Sequence, residues 1–380
     1  MIPDDHDGDV VAPLPAPAAR PDSDEEAASK GAEDFGLGRR LRQPRTLISF
    51  AVPVVLLVLA FRSLPGLELD RLPDRLVHAN PVFLALALAC YYATFPIRGY
   101  RWRLLLRGAG NDVGQADATE VVFLSWFVNC LVPAKLGDVY RAYLMRLNGG
   151  FSLGQTLGSV FMERVLDLVV LGLLAGAFGY LSFGRDLPPE VRLVIVVAGI
   201  LIACLAVGLI LLRSLGSRIV ARLPLPGRAK SIYARFEAGA FSAVNRRSLP
   251  RLAVLTVLIW TAEIGHLVLV VQALGFADVH VGLAAVAFVA LAGAVLTAVP
   301  LTPAGLGFVE AGVVGILTVV FAVPAPEAAA IALVDRAVTV VSLLVSGAIV
   351  YALSGKPRGR GLRPLRNVAT PAVSSPTAES

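Results

Sequence analysis

Charged and reactive side chains are what this sequence has least of. Of 380 residues only 16% are Asp, Glu, Lys or Arg, with 3 cysteines and 4 histidines. So little charge cannot cover the surface of a soluble domain of this length. Cys90, Cys130 and Cys204 lie apart, in or beside apolar segments, with no CxxC or Cys/His spacing. That excludes a disulfide framework and a zinc site, and reads as buried single thiols. There is no GxxxxGK[ST] loop, no GxGxxG between strand and helix and no HExxH. An ATP-driven mechanism within the chain and zinc-protease chemistry are thereby disfavoured, and neither cofactor nor metal is expected.

Apolar side chains are what the chain has instead, at 56% of the sequence with a mean hydropathy of +0.72. Windows at 47–64, 81–97, 153–181, 191–212, 252–274 and 327–353 come close to the roughly 20 apolar residues that cross a bilayer as a helix. Transmembrane strands would alternate instead of running continuously apolar. The expected fold is therefore an all-α polytopic membrane protein. A net charge of +6 would suggest nucleic acid in a soluble domain, but these cations cluster between spans. Positive-inside topology accounts for them, and no nucleic-acid partner is expected.

Residues 1–45 carry ten acids, with five prolines before position 22, and read as a disordered cytoplasmic tail. A membrane domain follows over 46–354, and a basic disordered tail over 355–380. Arg39, Arg40, Arg42 and Arg45 precede the first window, and Arg98, Arg101, Arg103 and Arg107 follow the second. Loop 213–251 holds nine basic residues against Glu237 alone. Both termini and this loop are expected on the cytoplasmic face of a cell inner (plasma) membrane.

The stretch 131–142, LVPAKLGDVYRA, returns 170 residues later at 301–312 as LTPAGLGFVEAG, with six of twelve positions identical. The shared frame puts a Pro and a Gly four apart (Pro133 and Gly137, then Pro303 and Gly307, with Gly305 between), which breaks a helix. An acid followed by Arg comes 26 residues after the first Gly (Glu163-Arg164) and 28 after the second (Asp335-Arg336). The chain therefore reads as duplicated, with repeats at about 118–182 and 282–353. Charge parity makes the short segment 118–132 re-entrant from the cytoplasm. The interval 281–323 is either two crossings or a hairpin from the outer side. Six to eight spans with one or two re-entrant hairpins result, the hairpin alternative forming an inverted repeat of the kind transporters use.

The broken helices would expose backbone N–H groups, to which an anionic headgroup is suited. Asn129, Lys135, Asp138, Arg141, Arg98 and Arg101 are the candidate headgroup residues; interfacial snorkelling and anchoring by the RGYRWR run are the alternatives. Asp138 is placed to cap its helix or to restrain Lys135. Glu163, Arg164, Asp167, Glu263, His266, Glu310, Asp335 and Arg336 are ionisable groups within apolar windows, where charge defaults to a functional reading. They are candidate gating or coupling pairs, and acid–Arg clamps between helices are the alternative. Asp335, Thr339, Ser342 and Ser346 follow helical spacing as a polar stripe. The buried acids and His266 suggest proton coupling.

RWRLLL, FVNCLVPAKLGDVYRAYLMR, FMERVLDL, PAGLGFVEAG and LVDRAV, in that order, resemble the flippase-like family defined by the membrane domain of bacterial lysylphosphatidylglycerol synthases. The resemblance spans 47–353. Asn129, Pro133, Gly137, Asp138, Arg141, Glu163, Arg164, Pro303, Gly305, Gly307, Glu310 and Arg336 fall on family motif positions. Lys135 stands where the family often has Arg. The resemblance implies an inner-membrane protein handling phospholipid or polyprenyl-linked lipid, anionic by the charges above. The synthase's soluble aminoacyl-transferase domain has no counterpart here, so a transporter-like role is expected over an enzymatic one. An enzyme or accessory subunit in lipid-linked glycan or envelope assembly is the alternative, with a second copy of the chain or an envelope-biosynthesis protein as partner.

Overall fold

A computed structural model describes residues 78–359 except 133–134, 225, 243, 245–246, 277–280 and 299–301. The expected first span at 47–64, the N-terminal tail, Pro133 and residues 360–380 of the expected C-terminal tail lie outside the described residues, whereas at the start of that tail Lys356–Arg358 forms a turn and Lys356 is buried. Within them every regular element is helical: α1 (Pro81–Gly108), α2 (Gln115–Leu131), α3 (Leu136–Gly149), α4 (Leu153–Phe183), α5 (Pro189–Leu211), α6 (Ser217–Arg222), α7 (Gly227–Phe241), α8 (Leu249–Leu274), α9 (Leu283–Ala298), α10 (Phe308–Gly315), α11 (Ala325–Arg336) and α12 (Ser342–Leu353). Wider turns at Leu212–Gly216, Ile316–Val320 and Ala337–Val341 carry α5 into α6, extend α10 and join α11 to α12.

Six stretches of mainly helical chain among the described residues are long and apolar enough to cross a membrane: Pro81–Gly108, Leu153–Phe183, Ile202–Arg222, Leu249–Leu274, Pro303–Val320, which includes the second break, and Ala325–Leu353. The basic interval 213–251 is mostly helix, not the loop expected from its charge, because α6, α7 and the start of α8 occupy it.

Local chemistry explains the ends of these helices. Asn80 caps α1, its Oδ1 accepting from the Val82 N–H at 2.9 Å, and Pro81 follows at the first position, where an N–H is dispensable. Gly150 (φ 66°), past the end of α3, and Gly275 (φ 55°), past the end of α8, take the left-handed conformation that closes a helix. Ser152 caps α4.

Packing is set by small residues. A Cβ on Gly158 would lie 2.1 Å from the Phe236 carbonyl oxygen, and one on Gly239 2.0 Å from that of Gln155, so α4 and α7 touch backbone to backbone. The Asn80 N–H donates to the Ala273 carbonyl at 2.7 Å, while Arg98 meets Glu263 further along, so α1 and α8 run antiparallel. That is the relative direction expected from the charges flanking them. Helix α3 folds back on α2 after the first break, α10 follows α9 after the second, and the turn Pro303–Gly305 packs against α2. One apolar cluster containing Trp102, Leu124, Val289 and Leu343 runs through these elements.

Candidate functional site

The two repeated stretches are breaks in the chain, as their Pro and Gly content demands. Lys135 has φ 52° and Gly305, its counterpart, φ 73°; Ala304 has φ 53° and Gly307 φ 84°. A lysine in the left-handed region costs roughly 1–2 kcal/mol over a right-handed one, and such strain collects at functional positions. The N–H groups exposed by the breaks are partly claimed by side chains. Asn129 Oδ1 accepts from the Gly137 N–H at 2.8 Å, and Glu310 Oε2 accepts from the Gly307 N–H at 2.6 Å. Asn129 is thus a helix-capping residue, and Asp138, expected as cap or as tether for Lys135, does not cap the helix and makes no hydrogen bond or ion pair to Lys135 among the described residues. Both its oxygens accept from Arg164, at 2.9 Å and 2.7 Å.

A cavity of about 360 Å³ opens between the two breaks and α1, α4, α8 and α11. Lys135, Arg164, Glu263, His266, Asp335 and Arg336 line it, as do Arg98, Asn129, Asp138, Asp167 and Gly305. Residues 120–240 positions apart in sequence thus meet in one place.

Their pairing crosses the helices instead of following sequence adjacency. Arg98, 2% exposed, donates to Glu263 at 2.6 Å and lies 4.4 Å above the Trp126 ring. His266 Nε2 stands 2.8 Å from Asp335 Oδ1 and its Nδ1 3.5 Å from Glu263 Oε2. Arg336 Nε lies 3.1 Å from Glu310 Oε1, without the alignment of a hydrogen bond. Neither Glu163 with Arg164 nor Asp335 with Arg336 forms the pair their adjacency suggests, because neighbouring side chains on a helix diverge by about 100°.

Beneath the cavity lies a second, buried layer. Arg101 grips Asp167 with two hydrogen bonds, at 2.6 Å and 3.0 Å, reaches Glu163 at 3.0 Å and donates to Thr256 at 2.8 Å. Arg141 donates to the other Glu163 oxygen at 2.6 Å and stacks 4.9 Å from the Trp102 ring. Arg101, Arg141 and Glu163 are fully buried and do not line the cavity. Two expected headgroup residues, Arg101 and Arg141, are therefore internal clamps. RGYRWR is likewise no exposed anchor, since Arg98, Arg101 and Trp102 face inward while Tyr100 faces out.

Lys135 is different in kind. It lines the cavity, its side chain does not cap α3, and among the described residues its ammonium makes no hydrogen bond and no ion pair within 4.0 Å. The polar stripe on the last span has another use: the Tyr92 hydroxyl bonds Ser342 at 3.1 Å and Ser346 at 2.7 Å, joining α1 to α12. Sequence reasoning missed Trp126 and Tyr91, which line the cavity, and Thr256; none has a local signal separating it from ordinary core. Cys130 is buried, Cys90 half-buried and Cys204 exposed, so the last is not the buried thiol expected. Residues 150–154, GFSLG, spell the frame of a hydrolase nucleophile elbow. Here no strand precedes Ser152 among the described residues, and its hydroxyl accepts from the Gln155 N–H.

Apolar helices long enough to span a bilayer, wrapped around a charged cavity and a buried ion-pair layer, define a polytopic helical membrane protein. The family model for the lysylphosphatidylglycerol synthase transmembrane region matches residues 46–347, and the chain belongs to that family. It is 35% identical over 227 residues to a UPF0104 membrane protein of Methanocaldococcus jannaschii, covering 59% of this chain and 93% of that one. A UPF0104 membrane protein of Methanothermobacter thermautotrophicus is 28% identical over 305 residues, 73% of this chain and 86% of its own. The glycosyltransferase AglD of Haloferax volcanii is 28% identical over 301 residues, 71% of this chain but only 48% of AglD, so this chain corresponds to about half of that relative.

Proposed function

We propose that this protein is a lipid flippase or translocase of the inner membrane, and that the cavity between the breaks receives the headgroup of an anionic phospholipid or polyprenyl-linked lipid. The observation that carries the reading is Lys135. A cation on a strained backbone, facing a cavity without a protein partner among the described residues, is stabilised when a phosphate arrives. The segments 118–149 and 282–315 are then re-entrant hairpins of opposite orientation, with both termini cytoplasmic. The Arg98–Glu263, Asp138–Arg164, His266–Asp335 and Arg336–Glu310 contacts join different elements, so a change of partner in any of them moves one element against another. This makes them the gating pairs. The buried Arg101–Asp167–Glu163–Arg141 layer is the fixed floor.

The test is reconstitution in liposomes carrying fluorescent anionic or neutral lipid, with chemical quenching of the outer leaflet. Wild-type protein is expected to expose inner-leaflet anionic lipid, and Lys135→Ala to do so far more slowly. Absence of exchange by wild type across a broad lipid panel refutes the proposal. The similarity to AglD favours a second reading, a membrane component of lipid-linked glycan assembly, acting with a second copy or an envelope-biosynthesis partner. Loss of a lipid-linked glycan in a deletion strain, with lipid exchange by the purified protein absent, selects it.

A further inference from the structure

His266 is 4% exposed and stands between two carboxylates at the cavity wall. Its Nε2 is 2.8 Å from Asp335 on α11; its Nδ1 is 3.5 Å from Glu263, one turn back on α8, and has no hydrogen-bond partner among the described residues. A neutral imidazole carries one N–H. With that proton on Nε2, given to Asp335, the Nδ1 lone pair faces a Glu263 oxygen, acceptor against acceptor. A second proton on Nδ1 turns this contact into a charge-assisted hydrogen bond. The ring is thus built to hold one proton more than it needs for its established contact.

The surroundings give that proton a consequence. Arg98 and the edge of Tyr91 face the site from α1, and Arg336 from α11. Counting the cavity lining, its floor and Glu310 behind Arg336, six cations (Arg98, Arg101, Lys135, Arg141, Arg164, Arg336) stand against six carboxylates (Asp138, Glu163, Asp167, Glu263, Glu310, Asp335). With His266 neutral the assembly has no net charge; with His266 protonated it carries one positive charge. Among the described residues no group of three His, Cys, Asp or Glu side chains converges as metal ligands.

We propose that His266, held between Glu263 and Asp335, is a proton-binding site, and that its protonation and the binding of an anionic headgroup at Lys135 favour one another. The first half stands on the His266 geometry alone; the second rests on the headgroup reading above. By linkage, a headgroup that prefers the positive cavity must also draw a proton into it.

Isothermal titration calorimetry of the full chain in detergent, with short-chain phosphatidylglycerol and phosphatidylcholine, tests the coupling from about pH 5 to about pH 7, where imidazoles titrate. Phosphatidylglycerol is expected to bind more weakly as pH rises, by up to about tenfold per pH unit, the limit for one linked proton. Proton uptake should appear as a dependence of the heat on buffer ionisation enthalpy. His266→Gln should still bind phosphatidylglycerol but lose both the slope and the uptake, and phosphatidylcholine should show neither. A slope that persists in His266→Gln, or none in wild type, overturns the coupling. Nitrogen NMR of the histidine rings in wild-type protein supplies an answer that needs neither the variant nor the lipid. A His266 ring that keeps a single proton throughout that pH range overturns the proton site, whereas failure of phosphatidylglycerol to bind while the ring titrates overturns the headgroup reading and the coupling with it.

Discussion

The breaks at 131–142 and 301–312 share six of twelve residues, yet they satisfy their helix starts from opposite directions. In the first, the cap comes from the preceding helix, Asn129 reaching forward to Gly137; in the second, Glu310 reaches back from within the following helix to Gly307. The first break then spends its own charges on α4, with Asp138 held by Arg164 and Arg141 by Glu163. The second replaces these with Phe308 and Ala311 and keeps one contact, Glu310 with Arg336. One break is clamped to α4 by ion pairs and carries a lysine whose ammonium has no hydrogen bond or ion pair among the described residues; the other is apolar and lightly held. If one of them moves during a transport cycle, the second has less to break.

The largest expected effect follows from Glu163. Its removal leaves Arg101 and Arg141 buried without their shared acceptor, so Glu163→Ala should cost about 3–5 kcal/mol, read as a fall in the unfolding midpoint in detergent. Glu310→Ala removes a cap and a partly open ion pair and should cost about 0.5–2 kcal/mol. Equal losses would erase the distinction between a clamped and a lightly held break.

Next comes Gly137. A Cβ there would sit 2.0 Å from the Ser125 carbonyl oxygen, which is backbone and cannot swing aside. Gly137→Ala should therefore separate α3 from α2 at about 1–3 kcal/mol. Gly305→Ala meets the stiff Val309 side chain at 2.5 Å and adds the strain of a φ of 73°, and should also lose about 1–2 kcal/mol in the same unfolding measurement.

Lys135 tests the functional half of the comparison. Since it has no ion pair to lose among the described residues and sits at φ 52°, Lys135→Gly should raise stability by about 1 kcal/mol. The same change should weaken anionic-lipid binding by about tenfold, roughly 1.4 kcal/mol. A variant that is stabilised and binds lipid unchanged would leave the first break without its proposed role.

The smallest effects lie at the ends of the bundle. Lys356 ties the end of α12 to the start of α2 through Asp117 at 3.0 Å and through Glu120, a tether to the first hairpin. Burial favours its neutral amine, but the hydrogen bonds to Glu120 and Asp117 prevail and hold its pKa above the ordinary value. This stabilisation is complete below the ordinary lysine value near 10.4 and fades as pH rises beyond it. Asp112 behaves in the opposite sense. Hydrogen bonds from Arg107 hold its carboxyl below the usual range, so its contribution is full above pH ~4 and fades in acid below that. Arg107 is 43% exposed, which screens the pair to about 0.2–1 kcal/mol. Unfolding midpoints of Lys356→Met and Asp112→Asn across pH should show the alkaline fade missing in the first and the acid fade missing in the second.

Much of this molecule is legible along the chain. Spans show because lipid demands long apolar runs, and breaks show because Pro and Gly interrupt them whatever surrounds them. The charged residues of the candidate site stand out for the same reason, since Glu163, Asp167, Glu263, Asp335 and Arg336 interrupt runs that otherwise exclude charge. Partner choice is not legible. Arg98 and Arg101 look like an interfacial collar because they follow an apolar window, and only the close approach of α8 and α4 turns them inward to Glu263 and to Asp167 with Glu163. Trp126 and Thr256 carry no local mark at all.

Residue pattern along the chain is enough to establish a helical membrane protein, where its helices break, and which side chains are too costly to bury without partners. Those properties follow from the solvent the chain meets and from backbone chemistry, both of which act residue by residue. Tertiary structure alone decided which acid meets which arginine, why Arg101 and Arg141 form a floor while Lys135 faces the cavity, and how His266 comes to lie between Glu263 and Asp335. A charge in an apolar run announces only that a partner is needed. Which one answers depends on helix crossings that join positions far apart in the sequence.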